Sequence, residues 1–318
     1  MTTPTLPGDL TVLIAEYLSH RRARGAARNT LLAYGADLRN LQAYLARHDV
    51  TLVQLLSERL LNRWLDEGLL HHGWHRRTAA RKLEAVRGFV RWCIGERITA
   101  HDPCEHVRIK FRPRRVIAPE LQPLKDVVAR IGTTHPLDLR DRAMLMLLLD
   151  AALRASEVVL LDVPTPGRAA PPWHVDVQHQ RVYARPKGGE GDESEIVGIE
   201  EQTVRAVQAW MAARHALLAE GEAALFVNQQ GHRLSRQSLY TVVRDRGAAA
   251  GLPNLHPHLF RHRRVGDVVE KLGIKVGAAL ARHRHESTTV NVYGAHAAEV
   301  QRNAVRQMAP LGDIPCNA

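Results

Sequence analysis

The residues best suited to chemistry lie close together near the C-terminal end of the chain. Residues 255–296 contain imidazoles at His258 and His283, a guanidinium at Arg261 and a phenol at Tyr293. Arginine binds phosphate oxygens through a planar fork of donors, and histidine exchanges protons near neutral pH. Tyrosine can act as a covalent nucleophile. The combination indicates chemistry on a phosphate group.

A helix can bring part of this set together. His258 and Arg261 are three residues apart, and His258 and His262 are four apart. On a helix these spacings put the three side chains on one face. We predict a second helix over residues 268–280, then a turn and a short segment that ends at Tyr293.

Length and charge indicate two domains and a polyanionic partner. A chain of 318 residues is long for a single core, and its apolar fraction of 45% is typical of a globular protein. The net charge is +11, and residues 1–118 carry 20 lysines and arginines against 11 acidic residues. We expect this first part of the chain to bind phosphates. A charge that serves only solubility is the alternative.

Cysteine spacing and hydropathy indicate the compartment. Cys93, Cys104 and Cys316 have no CxxC spacing, which is typical of thiols in a reducing cytosol. No apolar run reaches the ~20 residues that span a bilayer, and the first residues lack a signal-peptide core. We therefore expect a cytoplasmic, nucleoid-associated protein without a membrane partner.

The first domain, residues 1–107, is predicted to be a helical bundle. Apolar periodicity predicts helices over residues 9–20, over 52–67 and over 76–94, and another that starts after an N-cap at Asn29 or Thr30. The fourth carries its basic residues away from the apolar stripe: Arg76, Arg77, Arg81, Lys82 and Arg87. Such a face can bind one side of a duplex, and a solvated helix face is the alternative.

A basic segment with prolines separates this bundle from the rest. Residues 108–119 carry like charges at Arg108, Lys110, Arg112, Arg114 and Arg115. Like charges and prolines favour an extended linker. We place the second domain, with a C-terminal tail, at residues 120–318.

The second domain is predicted to be α-helical around a small antiparallel sheet. The patterns predict helices over residues 120–130, 139–149, 201–218, 235–250 and 297–308, and a sheet within 173–199. Arg154 follows the apolar helix and needs an anionic partner, either Glu157 or a ligand. Lys187 lies where a strand meets a Gly-rich turn, from which a lysine can reach a phosphate.

Four boxes in this order resemble the tyrosine recombinases, the group of phage integrases and Xer-type resolvases. Residues 153–157 resemble the first arginine motif, Lys187 the hairpin lysine, and residues 258–262 the His-x-x-Arg box. Residues 281–283 and Tyr293 resemble the terminal histidine and nucleophile motif. Residues 1–107, with Asn29, Thr30 and Tyr34, resemble the helical, SAM-like core-binding domain.

The chain departs from the family pattern at several positions. Ala152 replaces a glycine before the first arginine, and Arg282 replaces the glycine of a Leu-Gly-His motif. Arg263 stands where the family usually has threonine. The hairpin is acidic after its lysine, where the family carries more basic residues: Glu190, Asp192, Glu193 and Glu195.

The resemblance implies a site-specific recombinase that forms a 3′-phosphotyrosyl bond and needs neither ATP nor a metal. Tyr293 is then the nucleophile, with Arg154 and Arg261 as phosphate clamps. His258 is the acid or base for the phenol, Lys187 the acid for the leaving 5′ oxygen, and His283 a donor to the phosphate. The implied partners are double-stranded DNA with inverted-repeat core sites, a homotetramer on two sites and an accessory protein.

Three other interpretations remain open on the sequence. A zinc site could use the histidines 256, 258, 262, 283 and 285, although five interleaved arginines would repel a dication. A type IB topoisomerase would use the same chemistry as a monomer. A DNA-binding regulator could keep the fold without the reaction, although it would need no nucleophile. Arg263, Arg264, His262 and His285 could be supporting or surface residues.

Overall fold

The computed structural model describes residues 8–111, 118–165, 167–186 and 191–282. The chain divides into two compact units, Met1–Arg114 and Arg115–Ala318. The predicted helix over 297–308, and Arg112, Arg114 and Arg115 of the predicted linker, lie outside the described residues.

The described part of the first unit contains four α-helices with buried apolar stripes. The helices are α1 (Leu10–Ala23), α2 (Arg28–Ala46), α3 (Glu58–Leu70) and α4 (Arg76–Gly95). Asp9 caps α1 by accepting a hydrogen bond from the amide of Thr11 at 2.8 Å, and Ser57 caps α3 by accepting from Leu60 at 3.3 Å. The predicted helical bundle is therefore confirmed.

Two predicted helix starts in this unit are wrong. Helix α2 begins at Arg28, one residue before Asn29, and its N-cap is Ala27, which has no capping side chain. Helix α3 begins at Glu58 rather than at residue 52. A single 3₁₀ turn, Val53–Leu55, precedes it, and the Ser57 cap fixes the true start.

The predicted basic face of α4 is partly neutralised within the unit. Asp37 on α2 is buried, and its carboxylate pairs with Arg81 through both oxygens and with Lys82 at 3.2 Å. Arg87 pairs with Glu84 at 2.5 Å. Because a buried carboxylate needs cationic partners, Arg81 and Lys82 have a structural role beside any role in binding.

The second unit is mainly α-helical, as predicted. Among its described residues the helices are α5 (Leu121–Ala129), α6 (Pro136–Asp150), α7 (Ala155–Leu160), α8 (Glu201–Arg214), α9 (Arg236–Ala249), α10 (Pro257–Leu272) and α11 (Ile274–Ala281). The strands in the same described ranges are β1 (His174–Asp176), β2 (Arg181–Ala184) and β3 (Glu195–Gly198).

The three strands form the small antiparallel sheet that the sequence predicts. Their order is β1-β2-β3, with Val175 opposite Val182 and Val182 opposite Val197. These three valines are buried, so one face of the sheet joins the core of the unit.

Helix α6 runs through the middle of the second unit and packs against α8 and α10. It begins at Pro136, three residues before the predicted start, because proline suits the first turn of a helix. Across the core, the indole of Trp210 on α8 donates to the carbonyl of Leu225 at 2.8 Å. This packing gives the neighbouring functional side chains a rigid support.

The helical segment after His258 divides differently from the prediction. Helix α10 continues to Leu272, and α11 starts at Ile274, so the predicted helix over 268–280 is interrupted. Gly273 separates the two with a positive φ of 88°, a conformation that glycine adopts readily. None of the helices in the described part of the chain has the length and apolar character needed to cross a membrane.

Candidate functional site

The six predicted site residues divide into two groups. Arg154, His258 and Arg261 belong to the described part of the second unit, and the structure brings them together as detailed below. Lys187, His283 and Tyr293 lie outside the described residues, so their predicted positions remain predictions.

Arg154 is the N-cap residue of α7, directly after the loop that ends α6. Its guanidinium pairs with Glu157 Oε1, and its backbone amide donates to Glu157 Oε2 at 2.8 Å. The sequence left two partners open for Arg154, and the structure shows Glu157. The Arg154 side chain nevertheless keeps 21% of its surface exposed, whereas Glu157 keeps only 3%.

Arg261 lies one turn into α10 and is buried. Its Nη1 donates to the carbonyl of Ala152 at 2.5 Å, and its Nη2 donates to the carbonyl of Ala281. The guanidinium thus joins the loop before Arg154 to the end of α11. A buried arginine is retained where its donors are satisfied in this way.

The two arginines meet at one atom. Arg154 Nη2 approaches the Ala281 carbonyl oxygen at 3.4 Å, and Arg261 Nη2 donates to the same oxygen. Two positive groups from different helices therefore share an acceptor, two residues before His283 in the sequence. An arrangement that holds two guanidinium forks around one oxygen suits an anionic ligand with several oxygens.

His258 occupies the first turn of α10 beside these arginines. Partial desolvation lowers the pKa of His258, and the positive charges of Arg261, His256 and Arg154 lower it further. Desolvation also lowers the pKa of His256. A depressed pKa favours the neutral imidazole at neutral pH, which is the form that accepts a proton.

A pocket of about 200 Å³ opens between α7, α9 and α10. Arg154 and His258 line it from two sides, and Arg236 and Tyr240 line it from α9. Both α9 side chains are exposed, and Arg236 has no ion pair with any residue in the described ranges. The pocket therefore presents two guanidiniums, an imidazole and a phenol to a ligand.

The chain's similarity to known proteins agrees with this geometry. The sequence model of the phage integrase family matches residues 120–299. The model of the phage integrase N-terminal SAM-like domain matches residues 14–97. The chain belongs to the phage integrase family. It is a site-specific tyrosine recombinase of the Xer and integrase type, with a SAM-like first domain and a catalytic second domain.

Curated relatives support this assignment along most of the recombinase. Tyrosine recombinase XerC of Pseudomonas putida is 31% identical over 265 residues, covering 80% of this chain and 81% of the relative. Tyrosine recombinase XerD of Mycobacterium tuberculosis is 30% identical over 301 residues, covering 88% and 92%.

Solved structures share the fold. The Tn1549 transposon integrase in complex with transposon right end DNA has a TM-score of 0.71 at 15% identity, covering 95% of this chain and all of the other. The XerH recombinase bound to difH substrate has a TM-score of 0.69 at 15% identity, covering 96% and 99%.

Two departures of the recombinase from its family pattern have a backbone cost. Ala152 and Arg282 replace family glycines, and both adopt the left-handed conformation, with φ of 48° and 49°. Residues other than glycine adopt it at a cost of roughly 1–2 kcal/mol each. Both carbonyls accept hydrogen bonds from the site arginines: Ala152 from Arg261, and Arg282 from Arg154 at 3.3 Å.

Several neighbouring basic residues of the recombinase have structural partners instead. Arg263 pairs with Glu120 and Asp267, and Arg264 pairs with Asp150 at 3.3 Å. The sequence left open whether Arg263 and Arg264 are supporting or surface residues, and these ion pairs within the unit show a supporting role. His262 is buried, and His285 lies outside the described residues. Within the described ranges, no group of three or more His, Cys, Asp and Glu side chains is placed to hold a metal ion.

The sequence did not reveal Arg236 and Tyr240 as lining residues. Arg236 is one of three arginines on α9, and the sequence does not rank them. Arg244 pairs with Asp245, and Arg246 pairs with Asp141 at 2.7 Å. The position of Arg236 in the sequence could have indicated its role. It is the first residue of α9, next to the N-cap Ser235, and this end of the helix lies at the pocket.

Proposed function

We propose that the protein cleaves and rejoins DNA strands through a 3′-phosphotyrosyl bond to Tyr293. The observation that carries the proposal is the shared acceptor of Arg154 and Arg261, the Ala281 carbonyl. Both guanidiniums contact Ala281, which precedes His283 and Tyr293 in the sequence.

The arginines act on the charge of the phosphate. Nucleophilic attack on a phosphodiester increases the negative charge on its nonbridging oxygens, so cations held at those oxygens stabilise the transition state. Arg154 and Arg261 supply forked donors from α7 and α10, two separately anchored segments. In the unbound protein the backbone carbonyls of Ala281 and Arg282 take acceptor positions that we assign to phosphate oxygens in the DNA complex.

Proton transfer is assigned to three further residues. The depressed pKa of His258 keeps its imidazole neutral, so it can accept the proton of the Tyr293 phenol. The phenol oxygen bonds to phosphorus as the bond from phosphorus to the 5′ oxygen breaks. Lys187 gives its proton to that leaving oxygen, and His283 donates a hydrogen bond to the phosphate.

The covalent bond retains the energy of the broken phosphodiester. Attack of a free 5′ hydroxyl on the phosphotyrosine reverses the step, releases the phenol and needs no ATP or metal. When that hydroxyl belongs to a second duplex, strands are exchanged through a four-way junction. We infer a homotetramer on two DNA sites, each with inverted core repeats, as the assembly that performs the exchange. An accessory protein completes the proposed partners.

We assign DNA binding to both domains. Residues 1–107 form the proposed core-binding domain, residues 108–119 the basic linker and residues 120–318 the catalytic domain with its tail. The XerH structure is a complex with difH substrate and the Tn1549 integrase structure a complex with transposon end DNA. Residues 1–118 carry 20 basic and 11 acidic residues, and this positive charge supports DNA as the partner.

Covalent capture tests the proposal. The full chain is incubated with a library of randomised duplexes, nicked so that the short cleaved strand diffuses away. We expect a denaturation-resistant protein–DNA adduct that selects one inverted-repeat core sequence. Tyr293→Phe should bind the selected duplex with unchanged affinity and form no adduct. An adduct of undiminished yield in Tyr293→Phe, or none with the unaltered protein, would contradict the proposal.

A further inference from the structure

Arg282 touches three separate segments of the second unit. Its side chain is only 4% exposed. Nη2 pairs with Glu157 Oε2 on α7, Nη1 donates to the carbonyl of Ala151 at 3.4 Å, and Nε lies 3.2 Å from Glu195 Oε2 on β3. One side chain at the end of α11 therefore joins the end of α6, the first turn of α7 and the sheet.

Arg282 and Arg154 divide one carboxylate between them. Arg154 pairs with Oε1 of Glu157, and Arg282 pairs with Oε2. Glu157 Oε2 accepts from the Arg154 backbone amide at 2.8 Å and from Arg282 Nη2, whereas Arg154 Nη1 contacts Oε1 and Arg154 Nη2 points to the Ala281 and Arg282 carbonyls. Without Arg282, only the Arg154 backbone amide would hold Oε2, and the carboxylate would be freer to turn toward a bidentate pair with the Arg154 guanidinium, the arrangement that arginine and carboxylate favour.

The contact with Glu195 connects this carboxylate to the sheet. Glu195 begins β3, which pairs with β2 in register, with Ala184 opposite Glu195. Strand β2 precedes Lys187 in the sequence. Glu195, from the acidic run that follows the hairpin lysine, thus lies beside Arg282, the arginine that replaces the family glycine.

We propose that Arg282 is a positioning residue for strand cleavage. It restrains Glu157 so that the Arg154 fork remains directed at the scissile phosphate, and its charge attracts Glu195 on β3, although the two atoms at 3.2 Å lack hydrogen-bond geometry. This inference rests on the proposed function. Arg282 acts through Arg154, because its own guanidinium is enclosed by protein.

The test separates cleavage from binding in the full chain. First-turnover cleavage of the captured core duplex is measured at saturating protein, and the DNA dissociation constant is measured separately. For Arg282→Gln we expect the cleavage rate to fall roughly 10²-fold, as a small misplacement of a reacting group does. DNA affinity should stay within about twofold of the unaltered protein, because the buried Arg282 side chain is not proposed to contact DNA. Arg205→Gln is the matched control, because Arg205 forms an exposed pair with Glu201 and should keep both values.

Chemical rescue distinguishes positioning from a general loss of structure. Arg282→Gly removes the side chain and suits the positive φ, so it leaves space for a free guanidinium ion beside Glu157. Millimolar guanidinium should restore part of the cleavage rate of Arg282→Gly. It should not restore Arg282→Gln, whose side chain fills the space.

Each outcome decides the inference. Cleavage by Arg282→Gln at the rate of the unaltered protein would overturn it and leave the proposed function intact. Loss of DNA affinity in parallel with cleavage would also overturn it, as would loss of folded protein with no rescue of Arg282→Gly. Absence of any adduct from the unaltered protein would instead overturn the proposed function.

Discussion

Arg154 and Arg261 donate to the same carbonyl oxygen, that of Ala281, although they belong to α7 and α10. Each is anchored independently, Arg154 by Glu157 and Arg261 by the Ala152 carbonyl. The convergence therefore depends on the packing of the whole unit. It is the structural basis for assigning both residues to one phosphate.

Arg261→Lys should reduce first-turnover DNA cleavage roughly 10²–10³-fold, as loss of a transition-state donor does. Lysine keeps the charge, but a single ammonium cannot reproduce the fork that reaches both Ala152 and Ala281. The control is Arg246→Lys, since Arg246 forms ion pairs with Asp138 and Asp141, and none of these three residues lines the pocket of Arg154 and His258. Rates are compared per folded molecule. An equal loss in both variants would make the effect of Arg261 structural.

The cleavage rate should depend on pH through His258. Its pKa lies below the usual value near 6.5, so the neutral base predominates above that pH and the rate should be level there. The rate should fall as the pH drops through the depressed pKa, because protonated imidazole cannot accept the phenol proton. His258→Gln should be slower and lose this acid limb, whereas His256→Gln should keep it. An unchanged acid limb in His258→Gln would assign the titration to another group.

Arg236→Gln should weaken DNA binding and lower the slope of log affinity against log salt by about 1, the effect expected of one phosphate contact. Arg236 is exposed at the pocket and has no ion pair within the described ranges, so its charge is available to DNA. Arg244→Gln on the same helix is the control, because Arg244 pairs with Asp245. Equal slopes of log affinity against log salt for the unaltered protein and Arg236→Gln would show that Arg236 does not contact a DNA phosphate.

The thiols of Cys93 and Cys104 should resist alkylation until the first unit unfolds. Both are buried, and burial raises the pKa of each thiol to about 12. At pH 8 only roughly 10⁻⁴ of each is then thiolate, the reactive form. Mass spectrometry of the two cysteine peptides after iodoacetamide treatment checks this, with urea-unfolded protein as the positive control. Rapid modification of native protein would mean that the unit opens frequently.

Local patterns predicted most of the helices and the sheet, because each element has a clear apolar periodicity. The interruption at Gly273 was missed because the apolar pattern continues across it from Val269 to Ala278, whereas the backbone turns. The start of α2 was missed because Ala27 offers no capping side chain. The residues at which helices begin and end depend on backbone conformation, which residue types indicate only weakly.

Contacts between segments that are distant in the chain could not be predicted from the sequence. Residue order gives no reason for Arg81 to pair with Asp37 or for Arg282 to reach Glu157 and Glu195. The sequence did identify Arg154, His258 and Arg261 as site candidates by their types and order, and the structure brings these three together. Their mutual geometry depends on how α6, α7, α10 and α11 pack.

The most direct measurement of the central claim is the location of the covalent bond. The trapped protein–DNA adduct is digested with nuclease and trypsin, and the modified peptide is fragmented in a mass spectrometer. The account predicts a nucleotide attached to Tyr293 within the peptide from His285 to Arg302. A nucleotide on any other residue, including Tyr240 in the pocket or Ser287 in the same peptide, would contradict it.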